Sequence, residues 1–136
     1  IQHAQQKYQK DNIQFCVGST SKIPFEDDSF DKIFTVNTIY FWQKPEELLS
    51  EIYRVLKPNG NFCLTFAEED FMKKQPFTQF EFELYSTEKA QELIKKSNFK
   101  ISAEIPIFAC NLNLEYDKDN YAFLYFYSTN RLFSIG

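Results

Sequence analysis

The sequence predicts an α/β fold with a largely parallel sheet, and two observations carry this prediction. Short apolar runs typical of strands alternate with segments whose apolar residues recur at helical spacing. The last two strand-like runs are joined by a polar loop, which predicts an antiparallel pair at one edge of the sheet. The length of 136 residues fits a single domain or part of one.

Each element follows from local signals in chain order. Residues 1–10 are polar and are expected to end a helix, and residues 13–17 (IQFCV) are expected to form a strand closed by Gly18. Residues 19–29 read as a loop with an acidic cluster, which we expect to be a solvated turn. The remaining predicted elements are strands at 30–36, 61–66, 100–109 and 121–128 and helices at 45–56 and 87–97.

The helix at 45–56 has the strongest signals. Pro45 suits the first helical turn, where its missing N–H has no partner to lose, and Glu46 and Glu47 suit the positive end of the helix dipole. Residues 57–60 (KPNG) then predict a turn. One apolar stripe is expected along the helix, formed by Leu48, Leu49, Ile52, Val55 and Leu56.

The charge, the histidine count and the length of the apolar runs argue against several classes of function. With 15 basic and 19 acidic residues the net charge is −4 and the isoelectric point is about 5.0, which disfavours nucleic acid as a partner. The one histidine, His3, lies near the first residue, which argues against a multi-histidine metal site and against a Ser-His-Asp triad. No stretch reaches the ~18 apolar residues of a membrane span, so no membrane partner is expected.

The number and spacing of the cysteines indicate the redox state of the compartment in which the protein resides. Cys16, Cys63 and Cys110 form no CxxC pair, and their odd number argues against a disulfide framework and for a reducing, cytoplasmic location. We expect each of them to be a small buried apolar residue rather than a nucleophile.

Three segments together resemble a known family. Residues 30–42 read FDKIFTVNTIYFW, residues 51–60 read EIYRVLKPNG, and residues 18–25 contain the Ile-Pro-Phe step that precedes them. In this order they resemble class I S-adenosylmethionine-dependent methyltransferases, and more narrowly the small-molecule branch akin to the ubiquinone/menaquinone-type enzymes. The resemblance covers about residues 10–105.

The resemblance implies an incomplete Rossmann-like methyltransferase fold. The family's strand order is 3-2-1-4-5-7-6, with residues 30–36 as its fourth strand. The glycine-rich turn after the family's first strand and the acidic residue after its second have no counterpart here, so we expect the C-terminal two-thirds of one domain, with residues 67–85 as a lid-like segment. A central strand would then have an open edge, so we expect the chain alone to form a homodimer through that edge, to repack or to aggregate.

The resemblance also implies where S-adenosylmethionine binds. Gly18, Ser19 and Thr20 follow the predicted strand at 13–17, at the family's contact with the adenine; a plain turn is the alternative. Asn37 and Thr38 follow the strand at 30–36, at the contact with the methionine end; a locally bonded strand cap is the alternative. In open α/β sheets, ligands bind at these carboxyl ends of strands.

The aromatic residues Tyr40, Phe41 and Trp42 are candidates for the acceptor side, because aromatic faces attract a sulfonium cation. Packing in the core is the favoured alternative for Phe41 and Trp42. The carboxylates at 68–70 suit a solvated loop better than a base, and no catalytic residue is assigned. Five aromatic residues in the lid-like region would suit either an apolar acceptor or ordinary packing: Phe71, Phe77, Phe80, Phe82 and Tyr85.

The function that follows is methyl transfer from S-adenosylmethionine to a small-molecule acceptor, by a protein of which this chain is a fragment. The alternative is a non-catalytic methyltransferase-like interaction module or a degenerate gene product. Nucleic-acid methylation is disfavoured by the acidic charge and by the absence of an Asn/Asp-Pro-Pro-aromatic motif after the strand at 30–36.

Overall fold

The computed structural model describes residues 2–7, 12–79, 82–108 and 121–128. Short 3-10 helices at Ile39–Phe41 and Pro76–Gln79 lie between the regular elements. None of the described helices has the length and hydropathy that crossing a membrane requires. The helices and strands are α1 (Gln2–Lys7), β1 (Phe30–Val36), α2 (Pro45–Val55), β2 (Leu56–Ala67), α3 (Glu69–Met72), α4 (Thr87–Lys95), β3 (Lys100–Phe108) and β4 (Tyr121–Ser128).

The four described strands form one sheet in the order β1-β2-β4-β3. β1 and β2 are parallel, whereas β4 is antiparallel to both of its neighbours, so that β1, β2 and β3 run in the same direction. This order is the 4-5-7-6 half of the strand order that the resemblance implies. The Rossmann-like methyltransferase fold is thereby confirmed for the described strands, with the predicted antiparallel pair at one edge.

Helix α2 forms as its sequence predicts, except that Leu56, expected in the helix, is the first residue of β2. Pro45 occupies the first helical position, Glu46 and Glu47 lie in the first turn, and Arg54 lies in the last turn, each at the end of the helix dipole that its charge favours. The apolar stripe is buried against the sheet at Leu48, Leu49, Ile52 and Val55.

Strand β2 supplies the centre of the core. Phe62, Leu64 and Phe66 alternate along the strand and are each fully buried. The ring of Phe62 lies 5.3 Å from that of Phe99, which in turn lies 5.3 Å from Tyr53 on α2. Helix α4 adds the buried side chains of Ala90, Leu93 and Ile94 to the same cluster.

The turn predicted at 57–60 is a bulge within β2. Leu56 pairs with Phe30 and Asn61 pairs with Lys32, so four residues of β2 lie opposite one residue of β1. Gly60 is required there, because a Cβ atom on it would lie 2.7 Å from Cγ of Leu56 and 2.8 Å from a backbone oxygen.

The prediction of a strand at 13–17 is wrong. These residues are irregular, and Val17 is 76% exposed. A strand needs a neighbouring strand to satisfy its backbone groups, and no described strand pairs with this segment. The buried setting expected for Cys16 is wrong for the same reason, since it is exposed, whereas Cys63 on β2 is half-buried. Cys110 lies outside the described residues.

One face of the sheet is covered by the helices, whereas the other face is exposed along β1. Ile33 and Thr35 share the face of Phe62 and Leu64 through the parallel register, and this face packs under the helices. The opposite face of β1 exposes Phe34 by 75% and Val36 by 54%. The described part of the chain therefore leaves an apolar surface on β1.

Candidate functional site

The carboxyl end of β1 places Asn37 in an unusual conformation. Its φ of 53° lies in the left-handed region, which asparagine tolerates better than most residues. The backbone N–H of Asn37 donates to the carbonyl oxygen of Thr65 on β2 at 2.8 Å, while the residue itself is exposed. The amide group of Asn37 is thus presented at the strand end on a fixed backbone.

Thr38 and Trp42 form a local bond across the 3-10 helix. The indole Nε1–H of Trp42 donates to Oγ1 of Thr38 at 3.2 Å, and Trp42 is 93% buried. The Thr38 hydroxyl is therefore bonded locally, as expected for a strand cap, and Trp42 is packed in the core. Phe41 between them is 59% exposed, so core packing is wrong for that ring.

Tyr40 joins the ends of β1 and β2. Its hydroxyl donates to the carbonyl oxygen of Ala67 at 3.0 Å, accepts from the N–H of Ala67 at 2.5 Å, and lies 3.5 Å from Oδ1 of Asn37. Burial raises the pKa of Tyr40 to about 12, against the opposing effect of the hydrogen bond with Ala67. The hydroxyl is therefore a neutral structural link at pH 7 and not a base.

The segment Gly18–Thr20 is exposed and forms a tight turn. The N–H of Lys22 donates to both the carbonyl oxygen and the Oγ of Ser19, at 3.3 and 3.1 Å. This local bonding fits the plain-turn alternative for the Ser19 hydroxyl. Among the described residues, no hydrogen bond connects this turn with Asn37 or Thr38.

An ion pair that the sequence analysis missed holds the next part of that loop. Arg54 makes two hydrogen bonds to the carboxylate of Glu51, at 2.8 and 2.9 Å, and reaches the carbonyl oxygens of Ile23 and Phe25 and a carboxylate oxygen of Asp27. The N–H of Ile23 donates to Glu51 at 2.9 Å. The i, i+3 spacing of Glu51 and Arg54 could indicate the pair, but no local signal could indicate its contacts with residues 23–27.

Arg54 also favours the charged form of the Glu51 carboxylate. Hydrogen bonds from Arg54, and then from the N–H of Ile23, lower the pKa of Glu51 to about 2. The same pairing raises the pKa of Arg54 above its usual value. Both groups are charged at pH 7, and the pair fastens the loop after the Gly18–Thr20 turn onto α2.

The acidic residues after β2 have structural partners. The carboxylate of Glu68 accepts from the N–H of Asp70 at 2.9 Å and caps α3, and Glu69 pairs with Lys73 at 2.7 Å. These bonds agree with the solvated-loop reading.

The lid-like segment contacts the 3-10 helix. The N–H of Glu83 donates to the carbonyl oxygen of Tyr40 at 3.1 Å. The ring of Phe82 lies 4.9 Å from Phe41 and 6.0 Å from Phe77, whereas Phe71 packs against the core. Phe80 lies outside the described residues.

An aromatic cleft of about 810 Å³ opens at this contact. Its floor and walls are built by the 3-10 helix after β1 and by residues 82–85. We call it the aromatic cleft; its lining residues are Tyr40, Phe41, Trp42, Gln43, Pro45, Phe82, Glu83 and Tyr85.

The structure brings one half of the candidate residues together and leaves the other half apart. Asn37, Thr38, Tyr40 and Trp42 lie together at the carboxyl end of β1, where the Tyr40 hydroxyl lies 3.5 Å from Asn37 and Trp42 bonds to Thr38. The turn at Gly18–Thr20 has no bond with those residues within the described ranges. Sequence reasoning offers Tyr85 either contact with an apolar acceptor or ordinary packing and assigns nothing to Glu83; the structure puts both among the residues that line the cleft.

Comparisons with known proteins find methyltransferases that are similar to this chain. Residues 1–64 match the family described as a methyltransferase domain. The chain is 44% identical over 59 residues to the ubiquinone/menaquinone biosynthesis C-methyltransferase UbiE of Brucella canis, a match that covers 43% of this chain and 22% of that protein. The chain therefore spans less than a quarter of the length of this curated relative.

Solved structures are similar over nearly the whole chain. A methyltransferase from Aquifex aeolicus, described as S-adenosylmethionine-dependent, gives a TM-score of 0.75 at 19% identity and covers 95% of this chain and 61% of its own. A chain from the complex of the Haloferax volcanii Trm112 methyltransferase activator with a methyltransferase gives 0.78 at 19% identity, covering 94% and 66%. Residues 1–64 are thus similar in sequence to a methyltransferase domain, and the chain shares the fold of these solved methyltransferases.

Proposed function

We propose that the protein containing this chain transfers a methyl group from S-adenosylmethionine to a small-molecule acceptor. The observation that carries the proposal is the position of Asn37, Thr38 and Tyr40 together at the carboxyl end of β1, next to the aromatic cleft. The carboxyl ends of strands are where open α/β sheets bind ligands.

The residues present fit this cofactor. Asn37 presents an exposed amide, which both donates and accepts hydrogen bonds, as the amino and carboxylate groups of a bound amino acid require. The exposed ring of Phe41 offers a face of the kind that attracts a cation by roughly 0.5–2 kcal/mol. Gly18, Ser19 and Thr20 are the proposed adenine-side contacts, through backbone groups more than through the locally bonded Ser19 hydroxyl.

When bound, S-adenosylmethionine supplies an electrophilic methyl group on a sulfonium. The chain's part is to hold the acceptor in line with that group and to exclude water. Tyr40, Phe41 and Trp42 are the proposed acceptor-side residues. Tyr40 and Trp42 act by fixing the shape of the cleft, since both are almost fully buried, whereas Phe41 is exposed and contacts the acceptor.

The proposal is tested by measuring the release of S-adenosylhomocysteine with a panel of acceptors, namely neutral ring compounds, amines and carboxylic acids. Transfer to one class, reduced at least severalfold by Phe41→Ala, is expected. A matched control is Phe77→Ala, which removes another ring that is more than half exposed and does not line the cleft. Cofactor binding without transfer to any class contradicts the proposal.

A second candidate function is a methyltransferase-like module that pairs with another chain. The open face of β1, with Phe34 and Val36 exposed, favours it, and in this 136-residue chain the outer edge of β1 has no described strand beside it. Unpaired strand edges invite pairing with a second copy. Light scattering should then show a homodimer that Val36→Lys converts to a monomer; a monomer in both proteins would exclude pairing through this strand.

A further inference from the structure

The turn formed by residues 18–22 has little support of its own. All of its residues are exposed, so no buried side chain fixes it. Among the described residues, its hydrogen bonds stay inside the turn: the N–H of Lys22 donates to the carbonyl oxygen of Ser19, and the hydroxyls of Ser19 and Ser21 lie 3.1 Å apart. Few contacts and an exposed backbone are typical of segments with low local stability. The position of the turn therefore depends on the residues at its two ends.

Both ends of the turn contact the same short segment, residues 23–25. At one end, Lys22 is joined to Ile23 by a peptide bond. At the other end, a Cβ atom on Gly18 would lie 3.0 Å from Cδ of Pro24, so the backbone of Gly18 lies close against that ring. Whatever holds residues 23–25 in place therefore also holds the turn.

The side chains of Arg54 and Glu51 hold this segment on both sides of Pro24. Arg54 donates to the carbonyl oxygen of Ile23 at 3.0 Å and to that of Phe25 at 2.9 Å. The carboxylate of Glu51 accepts from the N–H of Ile23 at 2.9 Å. Three backbone groups of the segment are thus bonded to two side chains of α2.

The guanidinium group of Arg54 is fully used in this arrangement. It makes five hydrogen bonds, as many as it has N–H groups, because two more go to Glu51 and one goes to Asp27. The side chains of Arg54 and Glu51 expose only 29% and 18% of their surface, so the pair is better shielded from water than a surface ion pair. A lysine at this position would keep the charge but not the planar set of donors that the five partners require.

We propose that Arg54 and Glu51 are positioning residues for S-adenosylmethionine, because they hold the Gly18–Thr20 turn in place through residues 23–25. This assignment rests on the proposed function and extends its adenine side, with no contact between the pair and the cofactor. A turn that is already in place loses less conformational entropy when the ligand binds, so the ligand binds more tightly.

Calorimetric titration of the protein that contains this chain tests the proposal with two ligands. S-adenosylhomocysteine has an adenosine end and an amino-acid end, whereas 5′-methylthioadenosine has only the adenosine end. Arg54→Gln breaks the pair, Arg54→Lys keeps its charge, and Pro24→Ala removes the ring against Gly18 without altering either side chain of the pair. Gly60→Ala is the control, because it strains the bulge in β2 and so shows whether a loss of stability alone weakens binding.

The two Arg54 variants and Pro24→Ala should bind each ligand roughly three- to tenfold more weakly than the unmodified protein, the range expected when a few groups must be ordered on binding. The factor should be the same for both ligands, because the turn belongs to the adenosine end. Gly60→Ala should bind both ligands as the unmodified protein does, at temperatures where thermal unfolding shows that it is folded.

The proposal is overturned if Arg54→Lys or Arg54→Gln binds both ligands as tightly as the unmodified protein, or if Gly60→Ala weakens binding equally. Weaker binding of S-adenosylhomocysteine alone also overturns it, since the effect would then lie at the amino-acid end. Should the Arg54 variants fail to fold, Pro24→Ala decides by the same comparison. An unmodified protein that binds neither ligand would instead contradict the proposed function on which this assignment rests.

Discussion

The hydroxyl of Tyr40 donates a hydrogen bond to the carbonyl oxygen of Ala67 and accepts one from the N–H of the same residue, at 3.0 and 2.5 Å. Tyr40 follows β1 and Ala67 ends β2, so this one side chain joins the carboxyl ends of two neighbouring strands. The proposed site lies on this join, with Asn37 on one side and the aromatic cleft on the other.

Removing the Tyr40 hydroxyl should destabilise the protein. Tyr40→Phe removes the partner of the partly buried N–H and carbonyl groups of Ala67, which costs about 1–3 kcal/mol of the free energy of unfolding. Urea denaturation measures this loss. Tyr53→Phe is the control, because Tyr53 is half-buried and packs its ring against Phe99. Equal stability of the two variants would mean that the Tyr40 bonds do not support the strand ends.

Gly60 should not tolerate a side chain. A Cβ atom there would meet Leu56 at 2.7 Å and the backbone oxygen of Lys57 at 2.8 Å, so Gly60→Ala must displace the bulge in β2. We expect a loss of about 1–3 kcal/mol in the free energy of unfolding, typical of overpacking. Asn61→Ala, at the next and exposed position, should have a much smaller effect. A Gly60→Ala protein of unchanged stability would contradict the bulge geometry.

The pair of Glu51 and Arg54 should make stability depend on pH in acid. Arg54 lowers the folded-state pKa of Glu51 from 4.5 to about 2, so the unfolded chain binds more protons between those values. This stabilising contribution is present above pH 4.5 and is lost as the pH falls from 4.5 toward 2. Thermal unfolding between pH 6 and pH 2 measures it against Glu51→Gln, which lacks the titrating group.

The Glu51→Gln protein should show a smaller fall in Tm across that window than the unmodified protein. Glu47→Gln is the matched control, since Glu47 lies on the same helix and, among the described residues, pairs with exposed Lys44. Parallel Tm curves for the unmodified protein and Glu51→Gln would contradict the assigned role of the pair.

Local patterns predicted the elements whose causes are local. Pro45 and the spacing of Leu49 and Ile52 specify α2, and the alternation of Phe62 and Leu64 specifies β2, because these signals need only near neighbours. The strand order could be anticipated only through the family resemblance, since nothing within β4 indicates that it inserts between β2 and β3.

The errors have a common physical origin in contacts between distant residues. Residues 13–17 have the composition of a strand but no described strand to pair with. Phe41 sits in an aromatic run but projects from the 3-10 helix toward Phe82 rather than into the core. The contacts of Arg54 with Ile23 and Phe25 join residues about thirty positions apart, which no local pattern reveals.

The central claim, that the carboxyl end of β1 holds the cofactor, is tested most directly at Asn37. Calorimetric titration with S-adenosylhomocysteine compares the unmodified protein with Asn37→Gly, which keeps the left-handed backbone and removes only the amide group. Asn59→Gly is the control, because Asn59 also has a positive φ, of 68°, but lies in the β2 bulge. We predict roughly three- to tenfold weaker binding for Asn37→Gly alone, as expected for a lost hydrogen bond; equal binding by all three proteins would contradict the account.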